Sequence, residues 1–189
     1  MEEYNSIMVI WITGVSGAGK TTIANKLIKK YKKLLPNLIN LDGDAVRELY
    51  GDNLGYTEQD RVLQIKRLQS ICLLLEKQGQ VVIASALYSS PALMDWNREN
   101  FSDYYEIYLN VSMDLVKKRD PKGIYNRYKM GKEKNIVGID IPWIDPQKSD
   151  LVIEVDEGKS ILYVTNLITD NIPLFRNIES DYSKNKYKY

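Results

Sequence analysis

Ile7-Met8-Val9-Ile10-Trp11-Ile12-Thr13 runs directly into Gly14-Val15-Ser16-Gly17-Ala18-Gly19-Lys20-Thr21-Thr22. The first seven residues carry no charge and read as a short strand buried on both faces. Gly14 to Thr21 fits G-x-x-x-x-G-K-[ST] at every fixed position. Ile23, Leu27, Ile28 and Tyr31 then recur at three- and four-residue steps, an amphipathic helix that Pro36 closes. Strand, glycine-rich turn and helix in this order make a phosphate cradle. The glycines let backbone N–H groups converge on phosphate oxygens, and the helix adds the positive end of its dipole. On this reading Gly14, Ser16, Gly17, Ala18, Gly19, Lys20, Thr21 and Thr22 bind ATP. Lys20 reaches the β- and γ-phosphates, and Thr21 gives its hydroxyl to Mg²⁺.

Outward from the loop, apolar runs alternate with helical patterns. Leu38 to Leu41 reads as a second strand, ending in Asp42-Gly43-Asp44. Thr57-Glu58-Gln59-Asp60 has the form of a capping box and predicts a long helix to about Gln78, stopped by Gly79. Val81 to Leu87 reads as a third strand, and Pro91 suits the first turn of the next helix. Tyr104 to Val111 is a fourth strand, Ser112 caps a helix through Lys118, Leu151 to Val155 is a fifth strand, and a last helix runs from Ser160 to about Thr169. Strands apolar on both faces, separated by helices, predict an α/β fold of three layers with a mostly parallel central sheet. One domain is expected over residues 1–177. Its segment at about 119–146, rich in Gly, Pro, Lys and Asp and without a strand, suits a lid or a plain surface excursion. Residues 178–189 are expected to form a flexible tail.

Composition narrows the chemistry. The 189 residues are 44% hydrophobic and 27% charged, enough apolar material for a sizeable core. Lys plus Arg is 26 against 25 acidic residues, a formal charge of +1 that argues against a dedicated nucleic-acid binder. No His is present, which removes imidazole bases, His-ligated zinc and Ser-His-Asp catalysis. The single Cys72 sits in an apolar run and reads as a buried thiol. Met1-Glu2-Glu3 is acidic where a signal peptide is basic, and no apolar stretch reaches the roughly 18 residues of a membrane span. A cytoplasmic protein without membrane contact is the expectation.

A phosphate loop alone does not separate a kinase from a switch, a motor or a silent nucleotide binder. The third strand ends in Ser85-Ala86-Leu87, so the usual metal-binding Asp is missing there. Asp42 and Asp44 stand in for it, at the C-terminal strand edge where open α/β sheets bind ligands. One of the pair is suited to the metal and either is able to accept a proton from an attacking hydroxyl. The competing reading of Asp44 is a helix cap worth ~1 kcal/mol. No guanine-reading motif occurs, which points to a small-molecule kinase. Arg47, Arg61, Lys66 and Arg67 supply cations for an anionic substrate, although any one of them alone reads as a solvated surface charge.

Four segments then resemble a known family. Gly14 to Thr22, Leu41 to Arg47, Leu54 to Arg61 and Arg119-Asp120-Pro121-Lys122-Gly123-Ile124-Tyr125 are similar to adenylyl-sulfate kinases, and Gly138-Ile139-Asp140 and Pro146 continue the match over residues 7–155. The resemblance implies the P-loop nucleoside-triphosphate hydrolase type of sandwich, with transfer of the ATP γ-phosphoryl to a ribose 3′-hydroxyl. It implies Lys20, Asp42 and Asp44 as catalytic residues, Thr21 and Asp42 as metal ligands, and Arg119 on ATP. It places Asp44, Arg47, Tyr56, Arg61, Gln64, Leu87, Tyr88, Ser89, Lys122, Ile136 and Val137 around a small-molecule nucleotide acceptor, and it implies a homodimer. Ser89 is the nearest counterpart of a serine phosphorylated in some members, an intermediate that direct in-line transfer does not need. The departures concentrate at the acceptor. The family's Asn-Ile-Arg-Arg is Gln64-Ile65-Lys66-Arg67, its Ser-Pro-Tyr-Arg becomes Ser89-Ser90-Pro91-Ala92, and its Phe-Thr-Gly becomes Ile136-Val137-Gly138. Losing an aromatic that stacks on adenine costs roughly 1–3 kcal/mol for a purine acceptor. The pattern is similar to variants tied to bacterial surface-polysaccharide synthesis, one of which phosphorylates cytidine diphosphoramidate. That acceptor and adenylyl sulfate both stay open. A different small P-loop kinase and a non-catalytic nucleotide-binding protein are the other readings.

Overall fold

The computed structural model of the chain describes residues 6–51 and 53–186. Five strands, β1 (Met8–Thr13), β2 (Leu38–Asp42), β3 (Val81–Ala86), β4 (Tyr104–Val111) and β5 (Leu151–Val155), form one sheet in the order β2-β3-β1-β4-β5. Every pairing is parallel. The apolar runs read as strands therefore form an all-parallel sheet whose inner strands β1 and β3 are buried on both sides, while the edge strands β2 and β5 are partly exposed, because each crossover lays a helix on one face.

Among the described residues eight helices lie between and after the strands: α1 (Lys20–Tyr31), α2 (Gly43–Leu49), α3 (Glu58–Lys77), α4 (Pro91–Asn100), α5 (Met113–Arg119), α6 (Ile124–Lys129), α7 (Ile161–Asn171) and α8 (Pro173–Lys186). The alternation of β1 sends Met8, Ile10 and Ile12 to one side, against Ile23, Ala24 and Leu27 of α1 and Val164 and Ile168 of α7. Val9 and Trp11 go to the other, against Ile65, Leu68 and Cys72 of α3 and Leu93 and Met94 of α4. Cys72 is fully buried, and burial raises its thiol pKa, so it is a core residue.

The α3 start is the expected capping box: Thr57 accepts from the Asp60 N–H while the Asp60 carboxylate accepts from the Thr57 N–H. Ser112 caps α5, and Pro91 opens α4. The C-terminal end differs from the expected tail at 178–189. The chain continues as α8, whose Phe175 is fully buried and stacks on Tyr31 at 4.3 Å, while Ile178 is buried beside it. Glu179 accepts from Tyr31 and pairs with Lys30. Phe175 and Ile178 supply an apolar stripe that the lysine-rich composition beyond Ser183 obscured; residues 187–189 lie outside the described residues. Among the described residues no helix is long and apolar enough to cross a membrane.

Candidate active site

The turn from β1 into α1 is built on backbone conformations that side chains resist. Gly14, Gly17 and Gly19 have φ of 152°, 82° and 100°. A Cβ on Gly14 would sit 2.8 Å from the Leu109 carbonyl oxygen of β4. Gly19 is the N-cap of α1 and offers no side chain to it, so the first N–H groups of the helix are left for an anion. Ala18 is buried under the loop, while Ser16 is half-buried and Thr22 exposed.

Lys20 folds back over this loop, donating Nζ to the carbonyls of Gly14 (2.8 Å) and Val15 (2.9 Å). Burial, and after it the Lys122 charge, push its pKa down to about 8 against the opposing pull of Asp44 and Asp42. A cation held at such a cost to its charge, with only carbonyls for partners, suits a phosphate.

The two carboxylates that the sequence left interchangeable are separated by the fold. Asp42, at the end of β2, accepts from the Thr21 hydroxyl at 2.7 Å through Oδ2 and from the Asp44 N–H at 2.9 Å through Oδ1. Asp42 is thus the N-cap of α2, and capping does not account for Asp44. Asp44 is exposed and pairs with Lys122 from the segment after α5.

Arg47 of α2 and Arg61 of α3 enclose the ring of Tyr56, their guanidinium carbons 4.6 Å and 5.6 Å from its centroid. Arg47 donates to the carbonyls of Leu54 and Gly55. Arg61 is 7% exposed, donates to the Asn135 carbonyl at 2.6 Å, and leaves its Nε without a partner. Burial, then the Arg47 charge, lowers its pKa. Among the described residues neither guanidinium has a carboxylate within ion-pairing distance. Two cations without a contacting carboxylate, one of them buried, call for an anion. Gln64 stands one helical turn after Arg61, with Nε2 on the Gly43 carbonyl (3.0 Å) and a buried, unpartnered Oε1. Arg67 turns away to Asn53 and the Tyr50 ring.

The remaining expected residues divide. Tyr88 is buried and donates to Glu58 at 2.6 Å; Ser89 is buried with its hydroxyl on the Ile144 carbonyl; Leu87 is half-buried beside them. Ile136 and Val137 are 4% and 2% exposed and belong to the two cores, Ile136 to the α1 side and Val137 to the α3 side. They brace the loop from inside. Arg119, at the end of α5, is exposed and directs its guanidinium to the Asp156 carbonyl at 3.5 Å.

Three contacts had no sequence forecast. Tyr125, buried on α6, donates to the Ser16 carbonyl at 2.9 Å and ties the expected lid to the phosphate loop. Asp120 holds the start of α6 by accepting from the Tyr125 and Asn126 N–H groups. Asp140 accepts from the Asn135 and Ile136 N–H groups and so fixes the carbonyl that Arg61 uses. An aromatic inside a Lys- and Gly-rich stretch was the available signal for Tyr125; the other two depend on loop closure. Clefts of about 390 Å³ beside Val15 and Trp143 and about 460 Å³ beside Lys118 and Asp156 flank the β4 end, and neither includes Lys20, Asp44, Arg47 or Arg61.

A parallel sheet in this order, a glycine loop closed by Lys20 and Thr21, and unpaired cations across from a carboxylate define the class of P-loop phosphotransferases. The family model described as adenylylsulphate kinase matches residues 6–154. A cytidine diphosphoramidate kinase of Campylobacter jejuni is 38% identical over 149 residues, covering 79% of this chain and 86% of that one. An adenylyl-sulfate kinase of Clostridium acetobutylicum is 34% identical over 163 residues, 85% and 80% of the two chains. The Mycobacterium tuberculosis APS kinase solved with AMPPNP and APS superposes with a TM-score of 0.78 at 26% identity, covering 87% of this chain and 96% of that one. The chain belongs to the adenylylsulphate kinase family and is a kinase.

Proposed function

We propose that this kinase transfers the γ-phosphoryl group of ATP to the ribose 3′-hydroxyl of an activated nucleotide, with cytidine diphosphoramidate as the acceptor. The carrying observation is the Arg47–Arg61 couple around Tyr56, which has no carboxylate at ion-pairing distance among the described residues, together with the Asp44–Lys122 pair, both of whose charges act on Lys20. The phosphate-loop amides and Lys20 take the triphosphate, Lys20 exchanging the Gly14 and Val15 carbonyls for phosphate oxygens. Arg47, Arg61 and Lys122 take the anionic end of the acceptor, and Lys122 leaves Asp44 in doing so. Asp44 then accepts the hydroxyl proton as the acceptor oxygen bonds to the γ-phosphorus and the bond to the β-phosphate oxygen breaks, releasing ADP.

Among the described residues no group of three or more His, Cys, Asp or Glu could cage a metal. One carboxylate beside one hydroxyl, Asp42 and Thr21, is a donor set that fits Mg²⁺, which keeps several waters and takes phosphate oxygens. These two residues would hold it, and it would supply neutralisation of charge on the transferring group. The pyrimidine acceptor is supported by the identity to the Campylobacter jejuni enzyme.

Labelled ATP offered with cytidine diphosphoramidate or adenylyl sulfate tests the assignment. We expect turnover on the cytidine compound at a kcat/KM at least tenfold above the adenylyl compound; the reverse ratio makes the chain an adenylyl-sulfate kinase in the strict sense. Asp44→Asn is expected to lower kcat by about 10²–10⁴ with ATP affinity retained. Unchanged kcat would remove Asp44 from proton transfer.

A further inference from the structure

The triphosphate site has a further polar group that neither the motif nor the family resemblance singled out. Ser85 is on β3, in register with Ile12 of β1 on one side and Asp42 of β2 on the other. Its side chain shares the sheet face of Val81 and Ile83, which pack with Ile23, Ala24 and Leu27 of α1. Asp42 points to that same face, where the α1 hydroxyl of Thr21 meets it. Parallel neighbours stand about 4.8 Å apart, so Ser85 and Asp42 are adjacent side chains beneath the N-terminus of α1. The chain turns tightly there, since a Cβ on Gly43 would come within 2.9 Å of the Ser85 carbonyl oxygen. Ser85 is 4% exposed, and its Oγ has no hydrogen-bond partner. A serine in a strand interior ordinarily spends its hydroxyl on a neighbouring backbone group or on water. This one is unspent beside the place where the Asp42 carboxylate and the Thr21 hydroxyl already converge.

We propose that Ser85 is a positioning residue of the divalent-cation site, its hydroxyl hydrogen-bonding a cation-bound water that Asp42 shares. This rests on the reading of Thr21 and Asp42 as the cation's protein partners. It also explains how β3 ends in Ser85-Ala86 without a carboxylate: Asp42 on the adjacent strand carries the charge, and Ser85 supplies orientation only. Removing such an outer partner weakens a metal by roughly 10–100-fold.

The test uses Mn²⁺ and AMPPNP with the full chain. Nucleotide affinity is measured by calorimetry with and without divalent cation, and bound Mn²⁺ is counted by electron paramagnetic resonance. For Ser85→Ala we expect Mn²⁺ to bind the protein–AMPPNP complex about tenfold more weakly, with divalent-free nucleotide affinity and Tm unchanged. Ser85→Thr, which keeps the hydroxyl, is expected to restore Mn²⁺ affinity. Wild-type Mn²⁺ affinity in Ser85→Ala overturns the proposal, as does an equal loss of divalent-free binding, which would mark a purely structural serine. A wild-type protein that binds AMPPNP with no gain from Mn²⁺ removes the Thr21–Asp42 cation site itself, and the Ser85 role with it.

Discussion

Lys20 carries its charge where burial opposes it, and this makes the phosphate site sensitive to pH. With a pKa of about 8 in the free protein, half of Lys20 is neutral at that pH. A bound triphosphate favours the cation and returns the pKa toward its ordinary value. Nucleotide binding at pH 8 should therefore take up about half a proton, and affinity should fall as pH rises from 7 to 9. Calorimetry in buffers of different protonation enthalpy measures the uptake; none at pH 8 would contradict the assignment. Stability moves the other way. The folded pKa lies below the unfolded value, so the unfolded chain binds the additional proton between about 8 and 10.5. Over that window this group's contribution to stability rises with pH. Lys20→Met should accordingly abolish turnover with no loss of Tm. Lys20 was legible because its neighbours in sequence define it. The division of labour between Asp42 and Asp44 was not: two carboxylates separated by one glycine look alike until Thr21 bonds to one and Lys122 to the other.

At the scale of elements, local signals predicted local outcomes. The Thr57–Asp60 box, Ser112 and Pro91 all open helices, because capping is decided within one turn of chain. The C-terminal helix α8 was illegible for the opposite reason. Its stabilisation comes from Tyr31, 144 residues away from Phe175 in the chain, and from Glu179 meeting Lys30. Phe175→Ala should cost about 3–5 kcal/mol in denaturant unfolding, and a loss under about 1 kcal/mol would show that α8 adds nothing to the core. The loop at 135–141 combines both kinds of constraint. Gly138 has φ of 88°, and a Cβ there would come 2.8 Å from Met113 Sδ. Asp140 closes the loop on itself and Arg61 then holds it to α3. Gly138→Ala should raise the acceptor KM by loosening the Asn135 carbonyl from Arg61, with nucleotide affinity kept. An unchanged KM would detach this loop from acceptor binding.

For the molecule as a whole, a formal charge of +1 conceals an uneven distribution. Lys20, Arg47, Arg61 and Lys122 gather on one edge of the sheet with Asp42 and Asp44, while Glu76 and Glu106 are buried in networks around the α4–β4 connection and the start of β4. Raising salt from about 0.05 to about 0.5 M shortens the screening length several-fold and should raise the acceptor KM while leaving kcat nearly unchanged. A flat salt response would mean that the arginines do not face an anion. The chain's own order of residues determined the parallel α/β architecture, the phosphate loop and the chemistry open to a protein without histidine, since each depends on periodicity or on neighbours a few positions apart. Only the tertiary structure decided which Asp meets Thr21, that Arg61 is buried with no carboxylate in contact among the described residues, that Ile136 and Val137 belong to the cores, and that the Ser85 hydroxyl is left unspent beside Asp42. Those are relations between strands and helices distant in sequence. Whether a polar group is satisfied or left for a ligand is settled by everything that folds around it.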